Sequence, residues 1–489
     1  MAKKIDNAMF EPTSVAVAGV SKTYNTGQAF LECLLASGFK GKIYPLNPKH
    51  KGAEILGLKA YASVGEIPGP VDYAISCVPS PSAPQLIREC AAKGVRIVCV
   101  FTAGFSESGQ EEGQDLEDQL RQAAQGSDLR ILGPNCLGLY APRLGMSFAS
   151  DLPKESGGVA LISQSGGSAI QLIRDAGQRG VRFSKAVSYG NGADINETDL
   201  LEYFITDEET NIVAAYIEGV RDGQRFSRIL KKVSARKPVV VVKAGHTKAG
   251  ATAAASHTGA LAGSDQVWDA LLEQEGTLRV FGMDELVDMM VTFSYLTPPL
   301  GRRLAVVCGG GGGSAVMATD QYASAGFVLP SLNEETQQEI SRVIRNFANS
   351  DAGLILRNPF DLQNLHSAEG LYAVVSRLAD YEGYDLLVTH FAGYGWPGIN
   401  SPASIWPELF TDAIIKVHRE TEKPIAAAIW GTLSGVDGGR ALDLQRRCYE
   451  AGLPVYHSTD SAAKALGHFL HHCENHLSQP YRAKGLQLS

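Results

Sequence analysis

The segments VALISQSGGSAIQLIRDAGQRGV (159–181) and LAVVCGGGGGSAVMATDQYASAGF (304–327) follow one plan, with a single residue inserted in the second. Each begins with an apolar run typical of a buried strand and passes through a Gly/Ser turn into a helical pattern. Each then ends at or next to a glycine. Strand, turn and helix make up the repeating unit of a doubly wound α/β domain. The duplication therefore predicts two such domains, one in the middle of the chain and one after it.

The first third of the chain alternates β-rich runs with amphipathic segments. The runs end in or next to Gly, Pro or Ser, and they are SVAVAGV (14–20), KIYPLNP (42–48), YAISCVP (73–79) and RIVCVFTAG (96–104). Helical segments such as QAFLECLLASG (28–38) and PQLIRECAAKG (84–94) lie between them. This alternation predicts right-handed βαβ units on a parallel sheet, with ligands bound at the carboxyl ends of the strands.

The length of 489 residues predicts about three domains. Two loop-rich stretches, PRLGMSFASDLPKESGG (142–158) and SYLTPPLGRR (294–303), read as the connections between them. We therefore expect domains at 1–140, 150–293 and 302–489, the last with a C-terminal helical tail.

Composition indicates an ordinary globular enzyme, with 44% hydrophobic and 20% charged residues. The net charge of −8 argues against a nucleic-acid partner held by a general basic field. No uncharged apolar run is long enough to span a membrane, and the N-terminal MAKKIDNAMFEP lacks the apolar core of a secretory signal. The eight cysteines form no CxxC pair, as expected of reduced thiols. We expect a cytoplasmic protein.

The duplicated Gly/Ser turns are candidate phosphate sites. Small residues at a helix start leave its backbone N–H groups unshielded, at the positive end of the helix dipole. The candidates are Ser165, Gly166 and Gly167 in one turn and Gly311, Gly312 and Gly313 in the other. Ordinary strand-to-helix turns are the alternative, and the presence of two matching turns favours an anion handled in two places.

The first corner of the chain, Gly19-Val20-Ser21, resembles a nucleotide loop but is not GxGxxG. The second strand ends in Asn47-Pro48-Lys49, followed by Lys51, where a dinucleotide-binding protein carries an acid for a ribose hydroxyl. The basic residues suit a nucleotide with an extra phosphate, so coenzyme A is favoured over NAD. A solvated basic turn is the alternative. Neither a Walker A sequence nor a GxSxG elbow occurs.

The segment AGATAAASHTGALAGS (249–264) consists of small residues except for His257 and Leu261. A backbone of this kind changes conformation easily, and a neutral imidazole on it can attack phosphorus near pH 7. Glu218, after an apolar strand, is a candidate partner that would fix the imidazole tautomer. The alternatives are a mobile surface loop with an incidental histidine and a strand-end acid that caps the next turn.

Two other features favour structural roles. Cys136 in GPNCLG has no visible cation to lower its pKa, so a small apolar lining role is favoured over a nucleophile. His468, His471, His472 and His476 share one face of a tail helix, where a solvated helix is favoured over a metal site. We expect no metal ligands in this chain.

Together these residues resemble the NDP-forming (ADP-forming) acyl-CoA synthetases, relatives of succinyl-CoA synthetase, from about residue 10 to 460. The most specific matches are GFKGKIYPLNPK (38–49), GPNCLGL (133–139), ISQSGG (162–167), SYGNGADINETDLLEY (188–203), YIEGVRDG (216–223) and AAASHTGALAGSD (253–265). The resemblance implies a Rossmann-like CoA-binding domain followed by two flavodoxin-like domains. It also implies that His257 is phosphorylated during turnover and that Glu218 steadies it.

By the same resemblance, coenzyme A lies on Gly19, Ser21, Asn47, Val78, Pro79 and Thr102, with Asn135 and Cys136 near its thiol end. The basic turn after the second strand adds Lys49 to these candidates. The ATP-grasp domains of full-length members are missing. The chain therefore resembles an α subunit whose ATP-grasp β subunit binds ADP or ATP with Mg²⁺, in a heterotetramer. The loop GVSKTYNTG and the motifs GGGGGS and RNPFDL depart from the usual family patterns.

The leading interpretation is a subunit that interconverts acyl-CoA, ADP and phosphate with a carboxylic acid, CoA and ATP, through an acyl phosphate and a phosphohistidine. The alternatives are a catalytically silent CoA-binding or acyl-CoA-binding regulatory protein and, disfavoured by the missing motif, an NAD-linked oxidoreductase.

Overall fold

A computed structural model describes residues 5–252, 264–309, 311–347, 356–393, 405–431 and 438–476. The chain divides into two compact units. The first comprises Met1–Gly177 and Arg182–Leu286, and the second comprises Gln178–Val181 and Val287–Ser489.

The first unit contains two large sheets. Strands of the first sheet are β1 (Ser14–Ala18), β2 (Lys42–Leu46), β5 (Tyr73–Ser76), β6 (Ile97–Val100) and β7 (Arg130–Leu132), in the order β2-β1-β5-β6-β7 and all parallel. Between β2 and β5 lies a small antiparallel pair, β3 (Glu54–Ile55) and β4 (Leu58–Lys59).

The second sheet of this unit begins with an antiparallel edge strand, β8 (Gly138–Tyr140). Its parallel strands are β9 (Ser156–Ser163), β10 (Phe183–Ser188), β11 (Ile212–Ile217), β12 (Val239–Lys243) and β13 (Leu278–Val280). The spatial order is β13-β12-β11-β9-β10-β8.

The second unit contains one parallel sheet. Its strands are β14 (Leu304–Gly309), β15 (Phe360–Asp361), β16 (Leu386–Ala392), β17 (Ile425–Trp430) and β18 (Val455–Tyr456), in the order β15-β14-β16-β17-β18.

Helices connect the strands of all three sheets. In the first unit they are α1 (Asn7–Phe10), α2 (Thr26–Ala36), α3 (Ala83–Lys93), α4 (Glu111–Ala124), α5 (Gly166–Gln178), α6 (Glu197–Phe204), α7 (Gly223–Ser234) and α8 (Asp265–Gln274). From the unit boundary onward they are α9 (Met283–Tyr295), α10 (Gly311–Ser324), α11 (Glu334–Arg345), α12 (Ala368–Asp380), α13 (Trp406–Glu420), α14 (Gly438–Glu450) and α15 (Thr459–His476).

All three sheets share one strand order. Counting the parallel strands of each sheet along the chain, the spatial order is 2-1-3-4-5, with the direction of winding reversing beside the first strand. Loops diverge at such a switch point and leave a crevice for ligands at the carboxyl ends of the strands. The predicted α/β class, with doubly wound parallel sheets, is confirmed, and the domain boundaries at 140, 150, 293 and 302 stay predictions.

The tail helix α15 is not simply solvated, as the sequence had suggested. Ala462, Leu466, Phe469 and Leu470 are buried along it. The ring of His472 is also buried and contacts Phe293 edge-on, with the ring centroids 5.5 Å apart. The tail therefore contributes an apolar face to the core of the second unit. Among the described residues, no helix is long and apolar enough to cross a membrane.

A main-chain seam joins the two sheets of the first unit. The N–H groups of Asn191, Ala193 and Ile195 donate to the carbonyl oxygens of Pro134, Gly133 and Ile131, over 3.0, 2.9 and 3.0 Å respectively. The segments involved are β7 with the turn that follows it and the loop after β10. These bonds fix the carboxyl edge of the first sheet against the loops of the second.

Gly190 lies at the closest approach of this seam. Its φ is +56°, and a Cβ atom there would lie 2.2 Å from the Pro134 oxygen and 2.4 Å from the Asn135 oxygen. Gly192, two residues on, has a similar φ of +62°, but its Cβ would meet nothing closer than 3.4 Å. Both positions therefore favour glycine by backbone conformation, and Gly190 is additionally confined by backbone atoms that cannot swing away.

We predict that Gly190→Ala is much more destabilising than Gly192→Ala. Both variants lose about 1 kcal/mol from the left-handed backbone. Gly190→Ala must also push the seam apart, which should lower the free energy of unfolding by at least about 2 kcal/mol more. Urea denaturation of both variants measures the difference. Equal losses of unfolding free energy in the two variants would show that the seam can widen without destabilising the fold.

Glu197 begins α6 with its side chain buried, 3% exposed. Burial raises the pKa of its carboxyl to about 7, although hydrogen bonds from its own backbone and from Thr198 act in the opposite direction. Because the folded-state pKa exceeds the ordinary value of 4.5, the ionised form destabilises the fold. Stability is therefore lost as pH rises from the ordinary pKa to the folded pKa, and the loss is complete above about pH 7.

Replacing Glu197 with Gln should remove this pH-dependent loss. At pH 8 we expect Glu197→Gln to be more stable than the wild type by up to about 3 kcal/mol, while at pH 4 the two should be alike. Denaturation at both pH values measures the effect, and the exposed Glu208→Gln is the matched control. A gain that is the same at pH 4 and pH 8 would contradict the assignment.

Candidate active site

A cavity of about 390 Å³ lies in the first unit, at the carboxyl ends of strands from both of its sheets. Several predicted site residues line it: Asn135, Cys136, Ser165, Gly166, Gly167 and Glu218. The remaining lining residues are Phe101, Ala103, Leu137, Gln164, Ile170, Gly190 and Asn191. The structure thus brings together residues that are up to 117 positions apart in the sequence, between Phe101 and Glu218.

The start of α5 supplies N–H donors to this cavity. The helix begins at Gly166, directly after Ser165, whose Oγ accepts the N–H of Ser168 over 3.3 Å. The first N–H groups of a helix have no acceptor within the helix. A Cβ built on Gly167 meets nothing within 4 Å, so its backbone is open to a ligand. This arrangement can hold a phosphate oxygen.

Glu218 follows β11 and is 8% exposed. Its backbone N–H donates to the Gln164 Oε1 over 2.9 Å, and the next N–H, of Gly219, donates to the same oxygen over 3.2 Å. The turn that carries the carboxylate is therefore held against the end of β9. Among the described residues that line the cavity, only Glu218 has a charged side chain.

Lys243 brings a cation near this turn. It ends β12, beside the end of β11, and its Nζ lies 5.5 Å from the centre of the Trp268 ring. Burial lowers the pKa of the Lys243 ammonium, and the positive charge of Arg279 lowers it further. The carboxylates of Asp265 and Glu218 raise it. The attraction to Glu218 favours the ionised form of Lys243.

Asn135 and Cys136 form the wall on the side of the first sheet. Asn135 has a φ of +57°, and its N–H donates to the Thr102 oxygen over 3.1 Å. The Cys136 thiol is 3.6 Å from that of Cys99, and burial raises its pKa well above the usual value. A thiol with a raised pKa is a poor nucleophile. The structure therefore supports the lining role for Cys136.

The predicted CoA residues follow one another along the carboxyl edge of the first sheet. Asn47, Gly19, Val78 and Thr102 come after β2, β1, β5 and β6, which are neighbours in that order. Asn47 Nδ2 donates to the Val20 oxygen over 2.6 Å, and Thr102 Oγ1 donates to the Val78 oxygen over 2.6 Å. These hydrogen bonds join the four turns in two neighbouring pairs.

Gly19 makes the tightest corner of this edge. Its φ is +87°, and a Cβ there would lie 2.7 Å from the Cys77 oxygen. Asn25 stabilises the corner because its Nδ2 donates to the Gly19 oxygen over 2.8 Å while its Oδ1 caps α2. A side-chain-free corner before a helix start allows close approach of a pyrophosphate. Ser21 lies beside it, with its Oγ 3.0 Å from Thr23 Oγ1.

The two lysines after β2 differ in their environment. Lys51 Nζ is 2.7 Å from the Glu66 carboxylate, so that charge is already paired. Lys49 is exposed and has no ion pair within the described part of the chain. Its N–H donates to Asn47 Oδ1 over 2.9 Å, which fixes the backbone beside Pro48. Lys49 is thus the cation of this turn that remains available to a phosphate.

Other predicted residues lie elsewhere. Gly311, Gly312 and Gly313 begin α10 in the second unit, and Cβ atoms on the last two would meet nothing within 4 Å. His257 lies outside the described residues. Within those residues, no group of three or more His, Cys, Asp or Glu side chains could hold a metal ion.

Gln164 and Asn191 also line the cavity, although neither is among the predicted site residues. Both occur in motifs that were recognised, ISQSGG and SYGNGADINETDLLEY, and both are buried polar side chains next to a strand end. Asn191 Nδ2 donates to the carboxylates of Glu107 and Glu117, and Arg221 Nη2 donates to the Asn191 oxygen over 3.0 Å. A polar residue at the carboxyl end of an apolar strand is the signal that could have identified Gln164.

Known proteins share this organisation. Residues 13–142 match the CoA binding domain family, and residues 156–293 match the succinyl-CoA ligase like flavodoxin domain. The chain is 39% identical over 472 residues to the α subunit of acetate–CoA ligase [ADP-forming] I from Pyrococcus furiosus, covering 94% of this chain and 96% of the relative.

Two further relatives extend the comparison. Acetate–CoA ligase [ADP-forming] from Methanocaldococcus jannaschii is 39% identical over 354 residues, which cover 72% of this chain and 48% of that protein. A solved structure of dinucleotide forming acetyl-coenzyme A synthetase 1 from Ca. Korarchaeum cryptofilum, in complex with phosphate and ADP, superposes with a TM-score of 0.80 at 32% identity. That match covers 96% of this chain and 97% of the other. The chain therefore belongs to the family of ADP-forming acyl-CoA ligases, and it corresponds to their α subunits over almost its whole length.

Proposed function

We propose that this chain is the α subunit of an ADP-forming acyl-CoA synthetase. It interconverts acyl-CoA, ADP and phosphate with a carboxylic acid, CoA and ATP, through an acyl phosphate and a phosphohistidine. The observation that carries the proposal is the cavity of the first unit, where the N-terminus of α5, the Glu218 carboxylate and the Asn135 turn line one space.

The first step takes place in this cavity. A phosphate oxygen attacks the thioester carbonyl carbon, the carbon–sulfur bond breaks, and the CoA thiolate leaves and takes up a proton. The N–H groups at Ser165, Gly166 and Gly167 hold the phosphate and stabilise the negative charge that develops on its oxygens. Asn135 and Cys136 lie at the thiol end of the substrate.

In the second step the phosphoryl group moves to His257. A ring nitrogen attacks phosphorus, the bond from phosphorus to the carboxylate oxygen breaks, and the carboxylic acid leaves as its anion. Glu218 accepts a hydrogen bond from the other ring nitrogen and keeps the attacking nitrogen unprotonated. His257 then passes the phosphoryl group to ADP, and we propose the Gly311–Gly313 turn as a second phosphate site.

Coenzyme A binds along the carboxyl edge of the first sheet. Gly19 and Ser21 face the pyrophosphate, Lys49 the ribose phosphate, and Asn47, Val78, Pro79 and Thr102 line the path to the cavity. The fit is supported by the corner at Gly19, which leaves no room for a side chain, and by the unpaired charge of Lys49.

The second half of the reaction requires a partner. The chain spans about half the length of the relative from Methanocaldococcus jannaschii, whose name mentions no subunit, whereas the Pyrococcus furiosus relative is named as a subunit. We infer an ATP-grasp β subunit that binds ADP or ATP with Mg²⁺, in a heterotetramer. The protein works in the cytoplasm, where acyl-CoA, phosphate and ADP are available.

The phosphohistidine predicts a covalent label. Incubation of the purified chain with radiolabelled phosphate and a panel of acyl-CoAs should give an acid-labile, alkali-stable phosphoryl group, because phosphorus is bonded to nitrogen. The label should be absent from His257→Ala. In Glu218→Gln its rate of formation should fall by about tenfold or more, since the imidazole loses the partner that orients it.

His246→Ala is the matched control, because this exposed histidine lies on the same connection and should leave labelling intact. Intact-mass analysis measures the stoichiometry, and the productive acyl-CoA identifies the acyl group. Measurable CoA binding without label, also in the presence of the partner subunit, would favour a regulatory CoA-binding protein instead.

The different environments of Lys49 and Lys51 give a test of the CoA site. Lys49→Ala should raise the dissociation constant of CoA about fivefold, because an exposed phosphate contact contributes about 1 kcal/mol. The same variant should bind dephospho-CoA, which lacks the ribose phosphate, as the wild type does. Lys51→Ala should bind both ligands normally because Glu66 already pairs with Lys51. Titration calorimetry at low salt measures all of these, and equal losses for both ligands would remove Lys49 from the phosphate site.

A further inference from the structure

Gln164 connects the two functional parts of the cavity. It follows β9, precedes Ser165 at the start of α5, and is 7% exposed while lining the cavity. Its backbone N–H donates to the Tyr216 oxygen over 3.0 Å, so the residue is held between β9 and β11. The side chain therefore starts from a fixed position.

Its carboxamide oxygen is saturated. Gln164 Oε1 accepts from the N–H of Glu218 over 2.9 Å, from the N–H of Gly219 over 3.2 Å and from the Tyr189 hydroxyl over 3.2 Å. Burial and the nearby Glu197 and Glu218 raise the pKa of Tyr189 well above its usual value, so the hydroxyl keeps its proton. Three donors converge on one oxygen.

These contacts determine which way the amide points. A backbone N–H can only donate, so the atom that faces Glu218 and Gly219 must be the oxygen. The nitrogen, Nε2, consequently points away from them. Within the described residues Nε2 has no hydrogen-bond partner. It is also absent from the fully buried polar atoms that lack a partner, so protein atoms do not enclose it completely. Nε2 is therefore open to the cavity that Gln164 lines.

The neighbouring groups indicate what this nitrogen binds. Ser165, Gly166 and Gly167 line the same cavity with the first N–H groups of α5. An amide nitrogen beside a helix start adds donors to a place that already favours a negative oxygen. Because the amide is neutral, its N–H groups add no positive charge that would pair with the carboxylate of Glu218.

We propose that Gln164 Nε2 donates a hydrogen bond to a phosphoryl oxygen of the phosphate or acyl phosphate at the N-terminus of α5, while Gln164 Oε1 fixes the Glu218 turn. This role rests on the function proposed above and adds a residue to it. The same carboxamide thus binds the anion and positions the residue that steadies His257.

The test uses inorganic phosphate as the probe and Gln164→Glu as the variant. The glutamate keeps the shape and an acceptor oxygen for Glu218 and Gly219, but at pH 8 it replaces the donor with a negative charge. The dissociation constant of phosphate should rise at least about tenfold, as for loss of a hydrogen bond to a charged group. The affinity for CoA should stay within about twofold of the wild type.

A pH profile separates binding from structure. As pH falls through the pKa of the new carboxyl, the protonated side chain again offers an O–H donor, so the loss of phosphate affinity should shrink relative to the wild type. A purely structural defect would give a loss that does not change with pH. Gln171→Glu, an exposed glutamine on the same helix, is the matched control for added charge and should bind phosphate normally.

Should Gln164→Glu not fold, as judged by its thermal unfolding, the neutral Gln164→Met carries the same test, with weaker phosphate binding and unchanged CoA binding expected. Phosphate affinity within twofold of the wild type in the folded variant would overturn the proposal, as would a loss in Gln164→Glu that does not change with pH. Neither readout needs turnover. A wild type that binds phosphate but never labels His257 would therefore contradict the proposed function and still leave the role of Gln164 to be decided by these titrations.

Discussion

The hydrogen bonds between residues 131–134 and residues 191–195 are the constraint on which the site depends. Each sheet of the first unit is stable through its own apolar core, but neither encloses the cavity alone. The seam places the Asn135 turn of one sheet opposite the α5 start and the Glu218 turn of the other. Gly190 makes the contact possible because its missing side chain leaves room for two carbonyl oxygens.

Neutral hydrogen-bond donors line the cavity together with one carboxylate, that of Glu218. The helix N–H groups and the amide of Gln164 line the space where we propose that an anion binds, and Glu218 is held at its border by main-chain hydrogen bonds. Neutral donors stabilise a phosphoryl group without the strong pairing that a lysine or arginine would give. A phosphoryl group held in this way can leave again, which suits a site where it is received and passed on.

The sequence was sufficient to predict the fold class and the duplicated strand–turn–helix units, because apolar periodicity and Gly/Ser turns are local signals. The family was predicted from the resemblance of several motifs to those of known proteins. The gathering of Asn135, Ser165 and Glu218 around one cavity could be expected from the rule that ligands bind at strand ends. Gln164 was missed because its importance comes from two N–H groups 54 and 55 residues away. The paired state of Lys51, which separates it from Lys49, likewise depends on the distant Glu66.

The seam combines main-chain and side-chain contacts, and this affects how its sequence can change over evolutionary time. Peptide groups are the same whichever side chains they carry, so positions that contribute only backbone hydrogen bonds can accept substitutions independently as long as the backbone keeps its course. Arg130 and Asp194 differ, because the guanidinium pairs with the carboxylate over 2.8 Å and the same carboxylate accepts the N–H of Ile131. Methods that infer spatial proximity from paired changes in related sequences should therefore detect this junction through such side-chain pairs rather than through its backbone hydrogen bonds.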